Sequence, residues 1–288
     1  MSLALIRKLF GRPAENVSTA ASDDYKERIK AFESVLSDCL NVSRNCAGIP
    51  APSGAHFYAS VLFTTLCARG VSFAILAPGT SWSKKITDHW DYASLAVLVR
   101  SLLEVRLAFF YLCIEQTTQN EWDCRWNIFN LHDCTARIHL FEEMDPNSAD
   151  IPGFQAQAAE LRGRLNSNAF FLTLPASDQR KFLHGKSVFL APLETIAAAA
   201  GVEVQQFRWL YKFLSSHVHG LPLSFYRAGQ FDERGLGVHC EIEDNYSCLC
   251  VSFALTLLVA ARDEMEALFA PTLSANNSFK PKPLRGSA

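Results

Sequence analysis

Residues 92–114 read YASLAVLVRSLLEVRLAFFYLCI, a stretch with three charges, Arg100, Glu104 and Arg106. Its apolar positions run nearly all the way round at 3.6 residues per turn, so it predicts a helix covered on most sides. Asp91, or the residues before it, opens this helix. A helix this apolar needs other helices to cover it, and the rest of the chain supplies them. From Asp23, DDYKERIKAFESVLSDCLNVS places Ile29, Phe32, Val35, Leu36, Cys39 and Leu40 at helical spacing, with Asp23 or Asp24 as its cap. HFYASVLFTTLCARG predicts a helix ended by Gly70, and VSFAILAPGTSW beyond it reads as a short buried helix or a strand. EWDCRWNIFNLHDCTARIHLFEEM, FQAQAAELRGRLNS, PLETIAAAAG and VEVQQFRWLYKFLSSHVHG are further helices, punctuated by Pro146, Pro192, Gly201 and Gly220. Tyr246–Phe269 is the last.

The expected fold is therefore an all-α helical bundle, with the Arg100 helix and Tyr246–Phe269 at its centre. Alternation in SFYR and GVHCEIE allows at most a small β-hairpin near 224–243. The expected organisation is an N-terminal arm over 1–22, a single helical domain over 23–270 and a disordered tail over 271–288. In the arm, Leu3, Ile6, Leu9 and Phe10 beside Arg7, Lys8 and Arg12 suit one short amphipathic basic helix. Peripheral membrane contact through it is the lesser reading, a surface-docked or frayed terminus the plainer one. The charge-free run Asn245–Ala261 has 17 residues, the lower edge of a membrane span, and reads as a buried core helix.

Composition narrows the function classes. Of the 288 residues 49% are hydrophobic and 19% charged, which excludes a disordered chain. The net charge of −2 disfavours a nucleic-acid binder as a whole-chain reading. The nine cysteines are odd in number and form no C-x-x-C, so a reducing, cytoplasmic setting is expected. Phosphate-loop and dinucleotide motifs are absent, as are H-E-x-x-H and G-x-S-x-G, so no cofactor is expected.

Two polar sets stand out on apolar helices. Arg100 and Glu104 lie at i,i+4 and meet on one face, with Arg100 suited to an anion and Glu104 to a base or ligand role. The other reading is a buried ion pair that cross-links helices. Tyr211, Ser215 and His219 form one stripe at i, i+4, i+8, with His217 pointing elsewhere. Buried polar groups need partners, so the two sets are expected to face each other across a helix contact. Metal readings are weaker: His217, His239, Cys240, Cys248 and Cys250 cluster in sequence without usual zinc spacing, as do His132, Cys134 and His139.

The Arg-x-x-x-Glu helix LVRSLLEVRLAFFYLCIE, followed by the Tyr-x-x-x-Ser-x-x-x-His-Gly helix, resembles a family of bacterial all-helical domains of unknown function, over roughly 85–270. The resemblance picks out Arg100, Glu104, Tyr211, Ser215 and His219. That family is distantly similar to HEPN helical domains, many of which are ribonucleases with an Arg-x(4–6)-His motif. Arg125-WNIFNL-His132 and Arg234-GLGV-His239 fit that spacing, and Arg125 and His132 lie on a predicted helix. Two functions are thus expected. One is a binding or interaction module, its partner a protein or small molecule, in a defence or stress system. The other is a metal-independent HEPN-like ribonuclease or related hydrolase using Arg125 and His132.

Overall fold

The computed structural model describes residues 21–86, 88–225 and 239–278. The N-terminal arm to residue 20, most of the expected hairpin (226–238, with Arg234) and the tail from 279 lie outside the described residues. Among the described residues the secondary structure is helical throughout, as an all-α bundle requires, and no strand is present. The helices are α1 (Asp23–Cys46), α2 (Gly54–Leu76), α3 (Tyr92–Phe109), α4 (Gln119–Met144), α5 (Ile151–Asn166), α6 (Ala176–Leu183), α7 (Leu193–Ala199), α8 (Val204–Val218) and α9 (Glu241–Ser278).

Several boundaries depart from the sequence reading. Ser22, not Asp23 or Asp24, caps α1: its hydroxyl accepts from the Tyr25 N–H, and the two aspartates occupy the first turn, where the helix dipole favours them. Glu241–Glu243, read as the second hairpin strand, open α9 instead. Three acidic residues in that first turn suit a helix N-terminus better than a strand. Pro271 lies inside α9, which runs on to Ser278 past the expected boundary at 270. A proline removes only one intrahelical donor, and the following turns can continue.

Gly70 does not end its helix. α2 continues six residues beyond it, absorbing the first half of VSFAILAPGTSW. A Cβ on Gly70 would stand 2.8 Å from Leu36 Cδ1 and 3.3 Å from Leu258 Cδ1. The glycine is there for closeness, letting α2 lie against α1 and α9.

The chain divides into two compact units, one up to Ile114 and from Gln205 onward, the other Glu115–Val204. In the first, cross-helix pairs fix the directions. Phe32 meets Phe73, Arg69 donates to the Ser101 carbonyl, Tyr92 stacks on Tyr246, and Trp209 meets Phe253. Arg28 reaches Ser252 and Arg262 reaches Asp38, so α1 and α9 run parallel. α1, α3 and α9 therefore point one way, with α2 and α8 antiparallel to them. α3 is covered by α2, α8 and α9, as its composition demands, and the chain leaves it through a π-helical turn, Phe110–Ile114. In the second unit α4 and α5 form an antiparallel pair, Phe141 on Phe154, over a core of Ile128, Leu131, Leu161, Leu165, Phe171 and Phe182.

α2 and the stretch Glu241–Thr272 of α9 are long and apolar enough to cross a membrane by length and composition. The α9 stretch is packed into the first unit's core through Leu249, Val251, Ala254, Leu258 and Met265.

Candidate functional site

The site begins with Asp91. Its carboxylate accepts from the Ser94 N–H at 3.0 Å and caps α3. Two turns on, Arg100 points from α3 to the antiparallel α8. Its guanidinium carbon lies 3.4 Å from the Tyr211 ring centroid, a close cation–π contact. Nη1 donates to Ser215 Oγ at 2.5 Å and to the Tyr211 carbonyl at 3.4 Å. Nε and Nη2 donate to Glu104 Oε1 at 3.1 and 2.8 Å. Ser215 Oγ in turn donates to the Tyr211 carbonyl at 2.6 Å.

The two polar sets named from the sequence thus meet, with one exception. His219 follows the last residue of α8 and is exposed. Its backbone N–H reaches the Ser215 carbonyl at 3.1 Å, and the hydrogen bonds of Arg100 run to Glu104, Tyr211 and Ser215, not to the His219 ring. The cause is geometric: α8 ends at Val218, so the i+8 position falls off the helix and out of the stripe.

The burial gradient assigns roles different from those expected. The Arg100 side chain is 13% exposed and the Glu104 side chain 49%. Four of the five Arg100 N–H groups are engaged inside the protein, which leaves little to grip an anion. Glu104 takes both arginine bonds on Oε1, and its side chain is half-exposed. Arg100 is the positioning group, and Glu104 is the atom-bearing lip.

Sequence reading named the wrong buried ion pair. Arg106, 3% exposed, pairs with Glu264 of α9, and its guanidinium carbon is 5.7 Å from the Phe109 ring centroid and 5.8 Å from that of Phe110. Desolvation lowers the arginine's pKa and raises the glutamate's, partly offset by their mutual attraction. Arg106 is visible in the sequence, but Glu264 is buried in an otherwise charge-rich RDEME run and gives no signal there.

A second unanticipated network joins the residue before α1 to the start of α9. Asp244 accepts from the Ser22 N–H (2.8 Å), the Ser22 hydroxyl (2.6 Å) and His239 Nε2 (3.0 Å). His239 also packs edge-on against Trp90. The carboxylate lies between serine and histidine, so this is not a nucleophile–base arrangement, where the histidine must be in the middle. His217 is buried against Tyr92 and Phe213, and its Nδ1–H donates to the Phe213 carbonyl at 2.8 Å. Burial pushes its pKa down.

The second unit holds Arg125 and His132, and it holds them apart. Arg125 is buried and clamped by two carboxylates, Glu115 on Nη1 and Glu121 on Nη2 (2.6 Å) and Nε (3.1 Å). One guanidinium between two glutamates leaves a local negative charge, which repels a phosphodiester. His132 Nδ1–H donates to the Gly185 carbonyl at 2.8 Å. Gly185 has φ +68°, and a Cβ there would lie 2.2 Å from Thr135 Oγ1. Both residues work as fasteners of α4, on the loop after α6 and on the start of the helix.

Among the described residues no group of three or more His, Cys, Asp or Glu could hold a metal ion. The sequence candidates are dispersed: Cys248 faces Asp24, Cys250 the Tyr92 carbonyl, and His217 and His239 their own separate partners. Burial raises the Cys248 thiol to about 12 and holds Cys250 well above its usual range.

One family model matches residues 56–236, well over half of the chain, that of a family of unknown function, DUF5677. The chain belongs to DUF5677. The match begins and ends earlier than the 85–270 expected, taking in α2 and stopping before α9. Arg100 and Glu104 of α3, Tyr211 and Ser215 of α8, His219 just beyond it, and the whole Glu115–Val204 unit lie inside the DUF5677 match. No curated protein and no solved structure matches the chain.

Proposed function

We propose that this chain is a cytoplasmic binding module that recognises a cationic or N–H-donating group on its partner at the lip of α3 and α8. The observation that carries the reading is the fixed, half-exposed Glu104 carboxylate. Arg100 holds it from behind, and Arg100 is itself locked by the Tyr211 ring and Ser215. A preorganised carboxylate loses little side-chain entropy on binding, and for that reason it outbids the many mobile surface carboxylates. The nine cysteines, all free, support a reducing compartment.

The experiment is an array of peptides with and without lysine and arginine, probed with the full chain and with Glu104→Gln. The wild type should retain basic peptides, and Glu104→Gln should lose them with its fold intact. The ribonuclease alternative is tested beside it with total RNA and tRNA, comparing wild type with His132→Ala and His219→Ala. RNA cleavage lost only in His132→Ala would replace the binding reading.

A further inference from the structure

Arg69 is the only Lys, Arg, Asp or Glu of α2. Among the described residues it forms no ion pair, and its one hydrogen bond runs from Nη1 to the Ser101 carbonyl of α3 at 2.7 Å. Four of its five N–H groups are left unengaged, including the whole Nε–Nη2 edge. The buried side-chain atoms that lack a partner include none from Arg69, so Nε and Nη2 touch water. Such an edge is the fork that takes a carboxylate with two parallel bonds.

Helix geometry brings this edge beside Glu104. Arg100 and Ser101 are successive residues, so they stand about 100° apart round α3. Arg100 leans on Tyr211 of α8, and the Ser101 backbone receives Arg69 of α2. At about 3.6 residues per turn, Val97 and Glu104 fall in the arc between them. Both are open to solvent, Val97 at 39%. α3 therefore shows one outward line, with α8 along one side and α2 along the other. Helix carbonyls point toward the C-terminus, so the Arg69 guanidinium stands on the Glu104 side of Ser101. By the same geometry the Glu104 carboxylate and the Arg69 guanidinium are roughly 6–9 Å apart across the line. They do not pair with each other, because Glu104 is held by Arg100.

A fixed carboxylate and an unengaged guanidinium side by side select a ligand by its charge pattern. Any anion on Arg69 also stands near Glu104, so the anion with the least charge is favoured. A carboxylate carries one negative charge, a phosphate ester about 1.5 to 2. We infer that Arg69 is the anion-binding half of the Glu104 site, and that the partner presents a carboxylate next to its cation. This rests on the Glu104 reading and adds the second pole to it. The anion-binding arginine expected of this site is thereby Arg69 on α2, not Arg100. The carboxylate can come from an acidic side chain or from a chain terminus, since the chemistry is the same.

The test remakes one lysine peptide of the array as two fluorescein-labelled pairs. In the first pair Glu or Gln follows the lysine inside the peptide. In the second the lysine is the last residue, as free acid or as amide. Anisotropy titrations with the full chain should show the carboxylate member of at least one pair bound about tenfold or more tightly than its neutral mate. The pair that shows the preference names the source of the carboxylate. Arg69→Gln, with its helical circular dichroism intact, should bind both members equally. Arg69→Lys keeps the charge without the fork and should recover only part of the preference. Equal binding of both members of both pairs by the wild type, with Glu104→Gln still weakening them all, would overturn the assignment of Arg69 and leave the Glu104 reading standing. A preference that survives in Arg69→Gln would also overturn it. No binding of any of the four peptides by the wild type would overturn both.

Discussion

Arg100 sits over the ring of Tyr211, its guanidinium carbon 3.4 Å from the centroid, while Nε and Nη2 hold Glu104. The stack and the fork need a planar group, so lysine cannot replace it. Arg100→Lys and Arg100→Ala should each cost about 1–2 kcal/mol, mostly the lost stacking. Glu104→Gln should cost under about 1 kcal/mol, because a half-exposed pair is worth little. Denaturant melts of the three variants check the order.

Arg106 and Glu264 should behave in the opposite way, because the arginine is buried. Arg106→Met alone strands a carboxylate against the core and should cost about 3–5 kcal/mol. Arg106→Met/Glu264→Leu removes both charges and should recover most of that loss. A double-mutant cycle by urea denaturation measures the coupling.

These two pairs show what the sequence could disclose. The i,i+4 spacing of Arg100 and Glu104 and the stripe of Tyr211 and Ser215 were legible because helical periodicity alone sets which residues share a face. Their meeting was legible because buried polar groups seek each other. Arg106 found its partner on α9, 158 residues away, and a single sequence has no local rule for such a pairing. Gly70 misled for a related reason: glycine looks the same in sequence whether it stops a helix or lets another approach. His219 misled because the motif runs one position past the helix end. The network of Ser22, His239 and Asp244 joins groups 222 residues apart, beyond any periodicity.

His217 makes stability depend on pH. Its folded-state pKa lies below the usual value because it is buried. Protons therefore favour the unfolded chain once pH falls through the unfolded value, about 6.5. The stability contribution is complete above that pH and declines below it. Wild type should lose more stability than His217→Gln between about pH 7.5 and 5.5, a window above most carboxylate titrations. Thermal melts across that range give the comparison.

Gly70 and Gly185 test close packing in the two units separately. Gly70→Val should cost about 1–3 kcal/mol by overpacking Leu36 and Leu258. Gly185→Ala meets Thr135 at 2.2 Å in a left-handed backbone and should cost at least about 2 kcal/mol. Hydrogen exchange should show the loss spread over α1, α2 and α9 for the first, and over α4 and α6 for the second.

The central claim is that Glu104, held by Arg100, is the binding group. Fluorescence anisotropy of the strongest arrayed basic peptide against the full chain tests it most directly. Wild type should bind, and binding should weaken with salt. Glu104→Gln should bind at least about tenfold more weakly, a loss of ~1.4 kcal/mol, with its melting temperature lowered by no more than about 4 °C. Equal binding by wild type and Glu104→Gln would contradict the account.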